Sequence, residues 1–172
     1  KNLIDYKLQK KLERRYKNVL NLLPDDPVGI VKPKIIWFCW LQGIENAPVL
    51  VKKCYSKMKE VCSDYEIILI SKNNFSEYTN ISENIISKWN SGIITNTMFS
   101  DILRTNLLLN NGGTWIDSTV LLTDKIPKEI EKSELFLFRS QKPGSIGHYV
   151  TVSSWFLSAK KNHPFIKILN TF

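Results

Sequence analysis

Three kinds of apolar patterning alternate along the chain. Between residues 2 and 23, Leu3, Ile4, Leu8, Leu12, Val19 and Leu23 recur at roughly helical spacing among Lys7, Lys10, Lys11, Arg14, Arg15 and Lys17. That pattern predicts a basic amphipathic helix. Pro24-Asp25-Asp26-Pro27 ends it and begins a linker, 24–33. Residues 34–40, KIIWFCW, are a continuous apolar run, short for a helix and rich in β-formers, and predict a buried parallel strand. Pro48 suits the first turn of a helix reaching about Val61, with Val49, Leu50, Cys54, Met58 and Val61 facing inward. Residues 64–70 read as a second buried strand, so this part of the chain is expected to form a βαβ unit.

Further on, Phe75 to Trp89 reads as a turn and an amphipathic helix opened by Ser82, with Gly92 closing it. A helix over 96–110 follows. Met98, Phe99, Ile102, Leu103, Leu107, Leu108 and Leu109 make it apolar almost all round, which predicts that it is buried. Asn110, Asn111, Gly112 and Gly113 stop it, because Asn and Gly tolerate the left-handed backbone at a helix end. Thr114-Trp115-Ile116 is a short strand ending on Asp117, and Pro127 marks the end of an expected strand pair. Residues 134–138 and 151–159 are further β-like runs; between them residues 141–149, with Pro143, Gly144 and Gly147, have the composition of an active-site flap. Asn162-His163-Pro164 opens a last helix that runs to Phe172. The fold class is therefore α/β, with a mixed, mainly parallel central sheet. Ligands of such sheets lie beyond the carboxyl ends of the strands, which puts Trp40 and Gln42 at a site mouth.

The 172 residues suffice for one domain with a real core. A formal charge of +8 favours an anionic partner, and nucleic acid, a membrane surface and a phosphorylated substrate all qualify. No nucleic-acid-binding motif is present, so nucleic acid ranks last. Cys39, Cys54 and Cys62 lack metal-site spacing and leave an odd thiol if two pair, which favours a reducing compartment over a disulfide framework. No apolar run reaches the roughly 18 residues that a membrane span needs.

Two charges interrupt the apolar helix. Asp101 and Arg104 are three residues apart and share a face, and buried charge is costly unless paired or bound to something. An internal ion pair and a Asp117 that merely caps a turn would explain these residues without chemistry. A ligand site would explain them as well: Asp117, at a strand end, is suited to a ribose or a divalent cation, Asp101 and Arg104 to sugar hydroxyls, and Arg104 alternatively to phosphates. Of the two histidines, His163 precedes Pro164 and looks structural, whereas His148 lies in the flap.

The segments Ser100-Asp101-Ile102-Leu103-Arg104, Gly112-Gly113 and Trp115-Ile116-Asp117-Ser118-Thr119, together with the first strand ending at Trp40, resemble the glycosyltransferase sugar-binding region with a DxD-type motif, and more closely the related capsular polysaccharide synthesis proteins. The resemblance covers about half of the chain, residues 34–123. It implies a GT-A-like nucleotide-sugar-binding domain over 34–172 that is shortened at its C-terminus, with the helix 1–23 laid outside. It further implies a retaining hexosyltransferase acting in capsular or surface polysaccharide assembly. The donor would be a nucleotide diphosphate sugar, with UDP the expected carrier, and the acceptor a glycan or lipid-linked glycan. In this pattern Trp40 stacks on the base; Gln42, Asp101, Arg104, Gly113, Asp117 and Thr119 bind the donor; and Asp101, Arg104 and Asp117 carry the chemistry. The implied cofactor is Mn2+ or Mg2+ on Asp117, with Thr119 standing where the second carboxylate usually is. A lipid-linked acceptor would suit a cytoplasmic location, with the basic helix touching the inner membrane face. The alternative is a non-catalytic nucleotide- or glycan-binding module of the same fold.

Overall fold

The computed structural model describes residues 10, 11, 14, 31–138 and 152–171. The expected N-terminal helix, apart from three residues of helical backbone, and the expected flap lie outside the described residues, as does His148. Among the described residues five strands form one sheet: β1 (Ile35–Cys39), β2 (Glu66–Ile70), β3 (Gly113–Ile116), β4 (Leu135–Leu137) and β5 (Phe156–Ala159). Their spatial order is β2-β1-β3-β5-β4. β1 runs parallel to β2 and β3, whereas β5 is antiparallel to both β3 and β4. Only β5 therefore points the other way, and the sheet is mixed with a parallel centre, as its apolar runs predict.

The helices are α1 (Val49–Val61), α2 (Phe75–Tyr78), α3 (Glu83–Asn90), α4 (Asn96–Asn111), α5 (Lys128–Lys132) and α6 (Pro164–Asn170). Side chains alternate across a strand, so the sheet has two apolar faces. On one, Trp37, Trp115, Leu157 and Ala159 pack with Phe99, Leu103, Leu107 and Leu108 of α4 and Ile166 of α6. On the other, Ile36, Phe38, Ile116 and Phe156 meet Val51 and Met58 of α1, Cys62 at its C-cap, and Ile126. The result is an α/β/α arrangement with β1 and β3 at its centre.

The join between α4 and β3 depends on two glycines. Gly112 has φ +74° and Gly113 φ +101°. A Cβ on Gly113 would lie 2.8 Å from the Ile35 carbonyl oxygen and 3.2 Å from Trp37 Nε1. Trp37 Nε1 itself donates to the Gly112 carbonyl at 2.8 Å. The turn thus brings β3 against β1 with no room for a side chain.

Several expectations fail in detail. Val49 and Leu50 are exposed at the start of α1, and Val51 takes the inward position, because the helix begins after Pro48 and its buried stripe is Val51, Cys54 and Met58. Met98 is exposed because it lies on the side of α4 away from the sheet, in the first turn. No strand follows Asp117: residues 117–127 cross the sheet face as a loop, pinned by Val120, Leu122 and Ile126, and Pro127 caps α5 instead of ending a strand. β2 is an edge strand with four of its five residues partly exposed or exposed. β5 starts only at Phe156, leaving Ser153, Ser154 and Trp155 as a bend before it.

Candidate functional site

The carboxyl ends of β1 and β3 open on the N-terminal half of α4, and between them lies a cavity of about 330 Å³. β1 contributes Cys39 and the following Trp40, Leu41 and Gln42; β3 contributes Trp115 and the following Asp117, Ser118 and Thr119. From α4 come Asn96, Thr97, Ser100 and Arg104. Thr95 fixes where that helix begins, since its side chain accepts from the Met98 amide at 3.2 Å.

Arg104 is the hub. It is buried, 6% exposed, and every side of its guanidinium meets a partner. Nη2 lies 3.0 Å from Asp101 Oδ1 and 3.4 Å from Asp117 Oδ1, while Nη1 donates to the Ser154 carbonyl at 2.7 Å. The Trp115 ring covers it, with the ring centre 5.1 Å from Cζ. Trp115 Nε1 in turn donates to Asp117 Oδ1 at 2.7 Å. The Asp117 amide donates to the Trp155 carbonyl at 2.9 Å, so the bend before β5 holds both charged residues through its backbone. The two carboxylates and one guanidinium sum to a formal charge of −1 (−1 −1 +1).

Trp40 stands across from this cluster. Its indole Nε1 is buried and has no hydrogen-bond partner. An orphaned buried donor costs about 1–3 kcal/mol, which marks this residue of the cavity wall as one the fold holds at a cost. Cys39 is held inert: burial pushes its thiol up to about 12, the Arg104 charge opposing and the Asp117 charge adding to that rise. Next to the cavity, and sharing Leu41, Gln42 and Asn96 with it, is a second hollow of about 250 Å³ at the β1–β2 end. There Lys72 Nζ lies 5.3 Å from the Trp89 ring centre, and Trp89 Nε1 donates to Asn96 Oδ1 at 2.8 Å.

Of the residues expected at a site, Trp40, Gln42, Arg104, Asp117 and Thr119 line the 330 Å³ cavity, and Asp101 joins through its ion pair with Arg104. Gly113 does not line it; its smallness serves the contact with β1. His163 caps α6, its Nδ1 accepting from the Phe165 amide at 3.2 Å. Sequence reasoning missed Trp115, which was legible as the residue two before Asp117 and hence on the same side of the strand. It also missed Asn96, Thr97 and Ser100, a polar stripe leading up to Arg104 along one side of α4. Ser154 and Trp155 had no local signal.

A family model matches residues 1–172, the whole chain, under the description "Capsular polysaccharide synthesis protein". The chain belongs to that family. No curated protein matches this family member. A solved structure titled "PaToxG Glycosyltransferase" is similar to it with a TM-score of 0.52 and 15% sequence identity, covering 96% of this chain and 68% of that one. At that identity the likeness concerns the fold, which is the mixed α/β arrangement described above.

The donor set of this capsular polysaccharide synthesis protein suits a weakly held divalent cation. Among the described residues no group of three or more His, Cys, Asp or Glu side chains is placed to hold a metal. Asp117 has its described side-chain contacts on Oδ1, which leaves Oδ2 as a hard oxygen donor, and Ser118 and Thr119 of the same cavity lining carry hydroxyls. One carboxylate is enough for Mg2+ or Mn2+ when substrate phosphates complete the shell. A larger cavity of about 510 Å³ lies around Lys32, Lys34, Tyr65, Glu131 and Lys160. In its lining Lys34 pairs with Glu131, and with Asp64 just outside it, and Lys160 pairs with Glu134, while Lys32 donates to the Ile130 carbonyl and Ser158 Oγ.

Proposed function

We propose that this protein is a glycosyltransferase, moving a hexose from a nucleotide diphosphate sugar to a glycan or lipid-linked acceptor in capsular or surface polysaccharide assembly. The observation that carries this reading is the Asp101–Arg104–Asp117 cluster, held at the carboxyl ends of parallel strands beside the orphaned indole of Trp40. Switch points and strand ends of such sheets are where α/β proteins bind nucleotides. The family to which the chain belongs adds the polysaccharide context.

In this reading the base lies against Trp40 and the 250 Å³ hollow, and the ribose and diphosphate reach Asp117. Asp101 and the rim of Arg104 orient the sugar hydroxyls. A bound Mg2+ or Mn2+ would neutralise charge that grows on the leaving diphosphate. Arg104 supplies a fixed cationic group in the same place and needs no reorganisation, because its partners already hold it. With retention, the acceptor hydroxyl forms the new bond to the anomeric carbon on the face from which the diphosphate departs. The C–O bond to the diphosphate breaks, and the hydroxyl proton passes to the departing phosphate oxygen. No side-chain base is required. A lipid-linked acceptor would bring the basic N-terminal segment to an anionic membrane surface.

Calorimetric titration of UDP, with Mn2+ and with chelator, tests the reading on the native chain and on Asp117→Ala. Binding that strengthens at least tenfold with Mn2+ and is lost in Asp117→Ala is the expected result. UDP binding without turnover of any UDP-hexose would favour the non-catalytic module, a reading motivated by Thr119 in place of a carboxylate. No binding of UDP or of other nucleoside diphosphates under either condition would sink the donor site.

A further inference from the structure

The sheet order lays the site out in a line. From the β2 edge inward come the 250 Å³ hollow at β2 and β1, the 330 Å³ cavity at β1 and β3, and then the start of β5 and the end of β4. At that last position two aromatic rings are exposed. Phe138, just past β4, and Trp155, just before β5, stack with their centres 4.6 Å apart and their planes 14° from parallel. Trp155 is 37% exposed and Phe138 38%. Beneath them, Phe156 meets Phe138 edge to face at 5.5 Å and Phe136 meets it at 5.0 Å, which anchors the pair in the core.

This shelf is continuous with the candidate site through the backbone. The Trp155 carbonyl receives the Asp117 amide, and the carbonyl of Ser154 next to it receives Arg104 Nη1. The stretch that places the two charged residues also places the ring. Adjacent strands are about 4.8 Å apart, so β4 lies about 10 Å from β3. Phe138 stands at that distance and Trp155, before β5, one spacing from β3; an exposed, backed indole there is costly in water and offers a flat π-face, with a partial negative charge, to the C–H groups on the apolar side of a pyranose ring.

We propose that Trp155, backed by Phe138, is the acceptor platform of this protein, binding a pyranose unit of the acceptor glycan by stacking. The inference rests on the glycosyltransferase reading and assigns the acceptor to the β5–β4 end of the line, opposite the nucleotide end. Trp155 binds substrate directly; Phe138 is a positioning residue that fixes the ring plane.

The test uses the full chain labelled with 5-fluorotryptophan, whose five tryptophans give separate fluorine resonances. Trp155→Phe assigns the signal of interest. Titration with cellopentaose, maltopentaose and chitopentaose is expected to shift the Trp155 resonance saturably for at least one glycan. In Phe138→Ala the apparent Kd should rise about three- to tenfold, in line with the strength of an aromatic pair. UDP, titrated separately, should move a different resonance, that of Trp40 or Trp115. Absence of a saturable Trp155 shift with all three glycans overturns the platform, and so does an affinity unchanged in a folded Phe138→Ala. If that variant fails to fold, the native titration alone decides. Loss of the UDP response with the glycan response intact would instead remove the donor reading and leave the shelf as a glycan site.

Discussion

Asp117 shows how much a single carboxylate can be asked to do. One oxygen accepts Trp115 Nε1 at 2.7 Å and sits 3.4 Å from Arg104, so its position is held by a neutral donor and a cation together. A charge-assisted bond of this kind is stronger than a neutral one. The other oxygen has neither of these partners, and the residue lines the cavity. Thr119, exposed at the rim two residues on, supplies only a hydroxyl. If the site takes a divalent cation, Thr119→Asp adds a charged oxygen ligand and should tighten Mn2+ binding to the nucleotide-free protein by about tenfold or more, since cation affinity in oxygen sites follows ligand charge. Calorimetric titration of Mn2+ into both proteins checks this, and equal affinities would count against a metal at Asp117.

At the scale of elements, the two glycines between α4 and β3 decide whether the site exists at all. They let a buried helix stop and a central strand begin within one residue, which sets Arg104 and Asp117 on adjoining elements with their side chains meeting. Gly113→Ala combines a positive φ with a Cβ 2.8 Å from the Ile35 carbonyl, and neither the backbone nor Trp37 can give way. A loss of about 3 kcal/mol or more in urea unfolding is expected. Gly92→Ala is the matched control: its φ of +79° is also left-handed, but nothing lies within 4 Å of the added carbon. There the cost should be only the conformational part, about 1–2 kcal/mol. Equal losses at both positions would show that the packing against β1 contributes nothing. Because α4 is buried on the sheet, damage at Gly113 should weaken UDP binding as well as the fold.

Over the whole molecule, the end of the sheet opposite the site carries a half-buried cation, Lys32, that ties the fold together. Lys32 Nζ donates to the Ile130 carbonyl and, at 2.7 Å, to Ser158 Oγ, which shares a hydrogen with Thr114 Oγ1 at 2.8 Å. This ties the segment before β1 to β5 and β3. Burial lowers the Lys32 pKa to about 8, with the Glu131 charge opposing. In the unfolded chain it returns to about 10.5, the ordinary lysine value. Between those values the unfolded state binds more protons than the folded one, so this group's contribution to stability rises with pH from about 8 to about 10.5 and is at its lowest below 8. In Lys32→Met that rise is absent. The difference in unfolding free energy between native and variant should therefore shift in favour of the native chain across this window. A parallel pair of stability curves, measured by urea denaturation from pH 7 to 10.5, would contradict the assignment.

Much of this protein was legible in its sequence because local physics dictated it. Apolar runs such as residues 35–39 and 113–116 become central strands wherever both faces must be covered, and the Asn-Asn-Gly-Gly run ends α4 by backbone preference. The spacing of Asp101 and Arg104 required them to share a face, and the structure pairs them at 3.0 Å. Placement of the bend before β5 was not legible, since Ser154 reaches Arg104 across 50 residues of sequence. Nor was the exposure of Val49 and Leu50, which depends on which turn of α1 meets the sheet. The turn chemistry that opens a loop after Asp117, where a strand was expected, is likewise set by Val120, Leu122 and Ile126 finding the second core. Sequence by itself determined the elements, the helix end and the identity of the charged residues, all of which rest on neighbours a few positions apart. Only the tertiary structure decided that Trp115 orients Asp117, that Trp40 is left with an unpaired indole, and that an aromatic shelf adjoins them. Those depend on contacts between strands far apart in the chain, and no periodicity encodes them.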